Sequence, residues 1–178
     1  MTERIETAHL LLRKGREEDL DAIWQNVWRD ERIARMMLWE PTGTREEAAL
    51  RMQRTLAYQA RSDAFFVCRK DNDVPIGFAG ITQTAPGEFE ETGICIAQAY
   101  QNRGFGKEVL LALVKLAFCE RDGHSFLYGC FHENEASAAL AKACGFTYSH
   151  STEQVRAWDG YPYRCDYYRL ARESMKET

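Results

Sequence analysis

Residues Gln101-Asn102-Arg103-Gly104-Phe105-Gly106-Lys107 join two elements that together can hold an anion. Ahead of them runs the strand-like stretch Thr92-Gly93-Ile94-Cys95-Ile96-Ala97; behind them Val109, Leu110, Leu113, Val114, Ala117 and Phe118 recur at helical spacing. The first N–H groups of a helix lack intrahelical acceptors and sit at the positive end of its dipole, so phosphate oxygens dock there. Glycine lets the backbone come close and take positive φ, and Arg103 and Lys107 add positive charge at the rim. The spacing is neither that of a P-loop nor that of a dinucleotide fingerprint, because Lys107 is followed by Glu108 and Val109 stands where a third glycine belongs. A plain glycine-bearing helix start is the simpler alternative.

Other groups that could do chemistry are scattered. His132 and Glu133 close a strand-like run, where both could face a site, but one histidine beside one acid is not a metal set, and no metal is expected. The six cysteines form no C-x-x-C pair and read as small buried hydrophobes of a reducing, cytoplasmic compartment. A net charge of −4 gives no basic field for nucleic acid and is compatible with a cationic amine substrate. No run of about 18 apolar residues occurs, so no membrane association is expected. With 45% hydrophobic and 28% charged residues, 1–178 should fold as a single domain instead of remaining disordered.

The elements that must position the loop follow from periodicity. His9 to Arg13 is the first expected strand, and Leu20, Ile23, Trp24 and Val27 mark one buried helical face, with Trp24 and Trp28 as core anchors. Thr44 and Glu47 have capping-box spacing for a helix reaching about Arg61. Ala64–Arg69, Pro75–Ile81 and Phe89–Ala97 form an antiparallel meander into the loop. After a helix from about Phe105 to Arg121, Phe126–Phe131 returns as a strand parallel to the one before the loop. A helix from Asn134 to Cys144, stopped at Gly145, precedes a closing hairpin of Val155–Trp158 and Tyr163–Leu170.

The loop resembles the Q-x-x-G-x-[GA] pyrophosphate loop of the GNAT superfamily of N-acetyltransferases. Leu11-Leu12-Arg13 with Glu18-Asp19, Pro75-Ile76-Gly77, Glu91-x-Gly93, Asn134-x-x-Ser137 and Gly145-Phe146 stand in the order those proteins use, and resemble the RimJ/RimL-type branch. The resemblance implies a single-domain α/β fold: a mixed, mostly antiparallel sheet of about seven strands, splayed between the fourth and fifth, with flanking helices. It further implies acetyl-CoA as cosubstrate, its pantetheine along Ile94, Cys95 and Ile96, its pyrophosphate on Gln101, Asn102, Arg103, Gly104, Phe105, Gly106 and Lys107, and Asn134 bonding the pantetheine or simply capping its helix.

By the same resemblance the acceptor is a primary amine, either a peptide N-terminus or a small molecule, and the protein a monomer or homodimer. Deprotonating an alkyl ammonium of pKa about 10.4 at neutral pH costs roughly 5 kcal/mol, whereas an α-amine near 7.7 needs far less help. Glu91 matches a carboxylate that some members use as base, Ser137 a serine proposed as acid, and the N–H of Ile94 or Cys95 an oxyanion donor. Two positions depart from the pattern: Ala141 replaces a thiolate-protonating tyrosine, and Arg156 aligns with a proposed base. A non-catalytic acyl-CoA-binding module is therefore the alternative. Trp39, Tyr161 and Tyr163 are candidates for the acceptor wall.

Overall fold

The computed structural model describes residues 1–177, which are built around one eight-stranded sheet. Its strands are β1 (Arg4–Glu6), β2 (Leu10–Arg13), β3 (Asp63–Arg69), β4 (Pro75–Ala85), β5 (Glu88–Ile96), β6 (Ser125–Phe131), β7 (Thr147–Val155) and β8 (Pro162–Ala171), in the order β1-β2-β3-β4-β5-β6-β8-β7. Every neighbouring pair is antiparallel except β5 and β6, which are parallel and joined by a helical crossover. The expected α/β sheet is thus present with one strand more than expected. Three residues, Arg-Ile-Glu, carry too short an alternation to announce β1.

The helices are α1 (Leu20–Ile23), α2 (Glu31–Ala34), α3 (Arg45–Gln59), α4 (Phe105–Lys115) and α5 (Glu135–Ala143). The first predicted helix is broken into a 3-10 turn at Glu17–Asp19, α1, and a π turn at Trp24–Trp28; of its expected face Ile23 and Val27 are buried and Leu20 and Trp24 half-buried, and of the two expected anchors Trp28 is the buried one. The Thr44/Glu47 capping box opens α3. α4 continues through a π turn at Leu116–Glu120, so the crossover reaches almost as far as expected.

The closing hairpin differs from the expectation. β7 begins at Thr147 and ends at Val155, whereas Trp158 lies in the turn. As the sheet's edge it pairs only with β8 and leaves most side chains in water, so Thr147 to Gln154 shows no apolar alternation to read. One core links both ends of the sheet, with Phe66, Ile76, Leu110, Leu113 and Phe126 wholly buried.

The parting of β5 from β6 has a local cause. Ile81 pairs with Glu91 and Ala79 with Ile94, so two residues, Thr92 and Gly93, oppose Gly80 alone. Such a bulge bends its strand. Gly93 meets it with φ +112°, in the region that favours glycine. The parallel ladder to β6 ends just before it, at Glu90 and Leu127, and beyond that point the two strands separate.

Candidate active site

Past Glu90 the outer edge of β5 is open. Ala97 N–H donates to Ile76 O (2.7 Å) and Cys95 pairs with Phe78, so antiparallel alternation turns Cys95 toward β4 and points the main-chain groups of Ile94 and Ile96 into the gap. The Cys95 N–H expected as an oxyanion donor is therefore committed to β4, and Ile94 is the one that faces the opening. Gln101 Nε2 donates to Ile96 O (2.8 Å), pinning the glycine loop to the strand.

In that loop Asn102 (φ 58°) and Gly104 (φ 80°) are both left-handed. Gly104 is the N-cap of α4 with no side chain bonded to the helix end, and the first turn closes only with Glu108 N–H to Gly104 O (3.1 Å). The N–H groups of Phe105, Gly106 and Lys107 thus precede the first intrahelical bond, as an anion cradle requires. A Cβ on Gly104 would meet nothing within 4 Å, so the glycine serves the φ angle and leaves open space above the helix start. A cavity of about 380 Å³ lies there, bounded among others by Ile94, Ile96, Gly104, Gly106 and Lys107. Arg103 takes no part in its lining: its guanidinium donates to Ala99 O (3.0 Å) and lies over Tyr100. Arg32, which carried no signal in the sequence, lines it instead.

A second cavity, of about 300 Å³, continues from the first. They share Met36, Met37, Ile94, Tyr128, Asn134 and Ser137, so the two cavities meet at those six residues. Glu91 lines the second cavity, its carboxylate accepting the N–H of Gly93 on β5 and of Gly129 on β6 where the ladder has parted. Burial pushes this carboxyl up to about 7; the two N–H groups hold it back, and Glu90 beside it adds a small push.

Ser137 Oγ and Tyr128 Oη are 2.6 Å apart, and Ser137 N–H donates to Asn134 Oδ1 (3.1 Å). Asn134 is therefore the N-cap of α5, while also lining both cavities. Ala141 is fully buried in the core, and the phenol near Ser137 comes from β6. Burial first, and then the neighbouring Glu91, raises the Tyr128 hydroxyl above its ordinary value. Alternation with Phe126 and Cys130 could have marked Tyr128 as inward-facing; nothing in the sequence tied it to Ser137.

Of the three aromatic candidates, Trp39 and Tyr163 line the second cavity, with Phe131 stacked on Tyr163 at 4.3 Å. Tyr161 does not; it is exposed and packs over Arg156. Neither His132 nor Glu133 lines either cavity, and His132 Nδ1 meets Asp166 Oδ2 at 2.7 Å. Arg156 is buried and serves architecture: it pairs with Asp159 and donates to the carbonyls of Ala34, Arg35 and Met37 at the end of α2. That clamp ties the β7–β8 turn to the segment bearing Met36, Met37 and Trp39. The side chain at the position of a proposed base thus holds a wall of the second cavity.

The family model described as an acetyltransferase (GNAT) domain matches residues 9–147. The chain belongs to the GNAT acetyltransferase family. None of the curated proteins compared matches the sequence. Solved structures similar to this GNAT chain include a GNAT-family acetyltransferase from Bacillus anthracis (19% identity, TM-score 0.81, 96% of this chain and 99% of that one). A GCN5-related N-acetyltransferase from Brucella melitensis is similar over 99% of this chain and 81% of that one (17%, 0.81). The RimL ribosomal L7/L12 alpha-N-protein acetyltransferase in complex with coenzyme A is similar over 97% of this chain and 99% of that one (21%, 0.79). These likenesses establish the fold. Among the described residues of the GNAT chain no cluster of potential metal ligands occurs and no helix is long and apolar enough to cross a membrane.

Proposed function

We propose that this GNAT domain transfers an acetyl group from acetyl-CoA to a primary amine by direct attack in a ternary complex. The observation that carries the reading is the meeting of two cavities at Ser137 and Tyr128, with Glu91 in the wall on the acceptor side. The cosubstrate fits the first cavity by the chemistry of its walls: uncapped N–H groups and Lys107 for phosphates, and the outward main-chain groups of Ile94 and the outward N–H of Ile96 for an amide-bearing arm. It brings an acetyl thioester whose carbonyl the amine attacks.

The chain's own groups then have definite work. Glu91, ionising near pH 7, removes a proton from the ammonium or from the nitrogen as the N–C bond forms. Ile94 N–H stabilises the carbonyl oxygen as it gains charge. Tyr128, hydrogen-bonded to Ser137, protonates the sulfur as the C–S bond breaks, and Glu91, close enough to raise the phenol, can return the proton it took. Tyr128 thus supplies from β6 what the tyrosine absent at Ala141 would have supplied from α5.

Isothermal titration with acetyl-CoA, repeated on Gly104→Val/Gly106→Val, tests the cradle. Binding lost in a folded double variant supports it; no binding by the wild type removes the whole reading. A module that binds acyl-CoA without catalysis would instead bind normally and consume no thioester with any amine.

A further inference from the structure

The second cavity runs through the sheet where β5 and β6 part. Tyr128, Asn134 and Ser137 line it on the side of α5, and Glu90, Tyr163 and Tyr167 line it on the other. Strand pairing explains the division. Glu90 is opposite Leu127 on β6, Gly129 is opposite Tyr167 on β8 and Phe131 opposite Cys165, so alternation sets Glu90, Phe131, Tyr163 and Tyr167 on one face and Tyr128 on the other. Glu91 stands in the gap between the faces, bonded to N–H groups of both strands.

Among the described residues no lysine, arginine or histidine lines this cavity, and its two carboxyls are Glu90 and Glu91. The polar side chains beside Glu90 are bonded to one another: Tyr163 Oη donates to Gln154 Oε1 (2.5 Å), and Gln154 Nε2 to Tyr167 Oη (3.2 Å). The Glu90 carboxylate, half-buried, takes part in no hydrogen bond or ion pair among the described residues. Burial holds its pKa above the ordinary value; His150 of β7, stacked on Tyr167 at 4.7 Å, acts against that without reaching ion-pair distance. A carboxylate can accept several hydrogen bonds, an ammonium donates three, and aromatic faces attract a cation. A bound cation would meet all of these here. A bound anion would meet like charge and no cationic donor.

We infer that the acceptor is a small linear diamine: the reacting amine lies at Glu91 in the gap, and the second ammonium lies at Glu90 beside Phe131, Tyr163 and Tyr167. The reacting end of this inference rests on the transferase reading; the cation subsite at Glu90 does not. A passage between two strands suits an unbranched methylene chain. An α-amino acid would instead bring its carboxylate beside Glu91, against a wall without a cation.

The test separates the two ends. Acetyl transfer by the full chain is measured with diamines from 1,3-diaminopropane to 1,6-diaminohexane, each against the monoamine of equal length in which a methyl replaces the second ammonium, and with 5-aminopentanoate. The preferred diamine should exceed its monoamine about 10-fold in kcat/KM, as expected for a charge-assisted hydrogen bond at a half-exposed carboxylate. Two equivalent amines account for no more than a doubling. Glu90→Gln should bring the ratio down to that doubling and Glu90→Asp should keep part of it, both with melting curves that verify folding. A disturbance of Glu91 by its altered neighbour would move both acceptors alike and leave the ratio intact. Equal or better turnover of the monoamine, of 5-aminopentanoate or of an uncharged tripeptide amide, or a ratio that survives Glu90→Gln, overturns the inference. Binding without acetyl-CoA is followed by tryptophan fluorescence, since Trp39 lines the cavity. Tighter binding of the diamine that is lost in Glu90→Gln, with no thioester consumed by any amine, upholds the cation subsite and sinks the transferase reading instead.

Discussion

Glu91 is where geometry and ionisation converge. Its carboxylate occupies the place where the β5–β6 ladder has parted, and burial brings it to about 7, a value suited to a base at neutral pH. With an amine of high pKa as acceptor, wild-type kcat/KM should rise through pH 7. Glu91→Gln should lose about 100-fold near neutrality and recover toward high pH, where the amine is already neutral; a loss of equal size at all pH values would assign Glu91 to positioning. Tyr128→Phe is expected to lower kcat about 10- to 100-fold with acetyl-CoA affinity measured by titration unchanged, because a proton donor acts late and a packing residue acts on binding. Ser137→Ala should cost less, as Tyr128 keeps its proton without it. Of these three residues, Glu91 and Ser137 were reached through short family motifs. Tyr128 was not, because the hydroxyl contact that gives it a role spans a strand and a helix start.

Among the elements, the β7–β8 turn owes its position to Arg156. Most arginines end in water, yet this side chain is buried against the carbonyls of Ala34, Arg35 and Met37 at and just beyond the C-terminus of α2, where a cation is favoured. Arg156→Met should cost about 2–3 kcal/mol in denaturant melts, the loss of hydrogen bonds to a charged donor. It should also raise the acceptor KM several-fold while leaving acetyl-CoA binding intact, because the clamp holds Met36, Met37 and Trp39 and not the glycine loop. The glycine loop itself was legible without tertiary structure: a positive φ at Gly104 and an uncapped helix start are properties of adjacent residues. Its rim was less so. Arg103, three residues from Gly106, turns back on Ala99, and Arg32 from a distant segment takes the cavity wall.

At the scale of the whole molecule, carboxyls shifted in opposite senses shape the pH profile of stability, Asp63 and Glu91 among them. For Asp63, burial acts upward, but the bidentate Arg121 guanidinium (2.8 and 3.0 Å) and Thr2 N–H outweigh it and leave the carboxyl below its ordinary value. Its contribution is present above the unfolded value of 3.8 and lost as pH falls through the lower folded value. Glu91 works in the opposite sense. Unfolded, it ionises near 4.5, while the folded chain holds the proton up to about 7, so stability falls as pH rises between those values, by up to roughly 3 kcal/mol. Wild-type melting temperature should therefore peak in mild acid, and Glu91→Gln should flatten the decline between pH 5 and 8; parallel profiles for the two proteins would refute it. The sequence by itself determined what depends on near neighbours and period: the α/β class, the meander, the crossover, the capped α3 and the anion loop. Tertiary structure alone decided the eighth strand, the polar edge strand β7, the Tyr128–Ser137 contact and the Arg156 clamp. Each of these depends on partners far apart in the chain or on exposure to solvent, and neither leaves a mark in local periodicity.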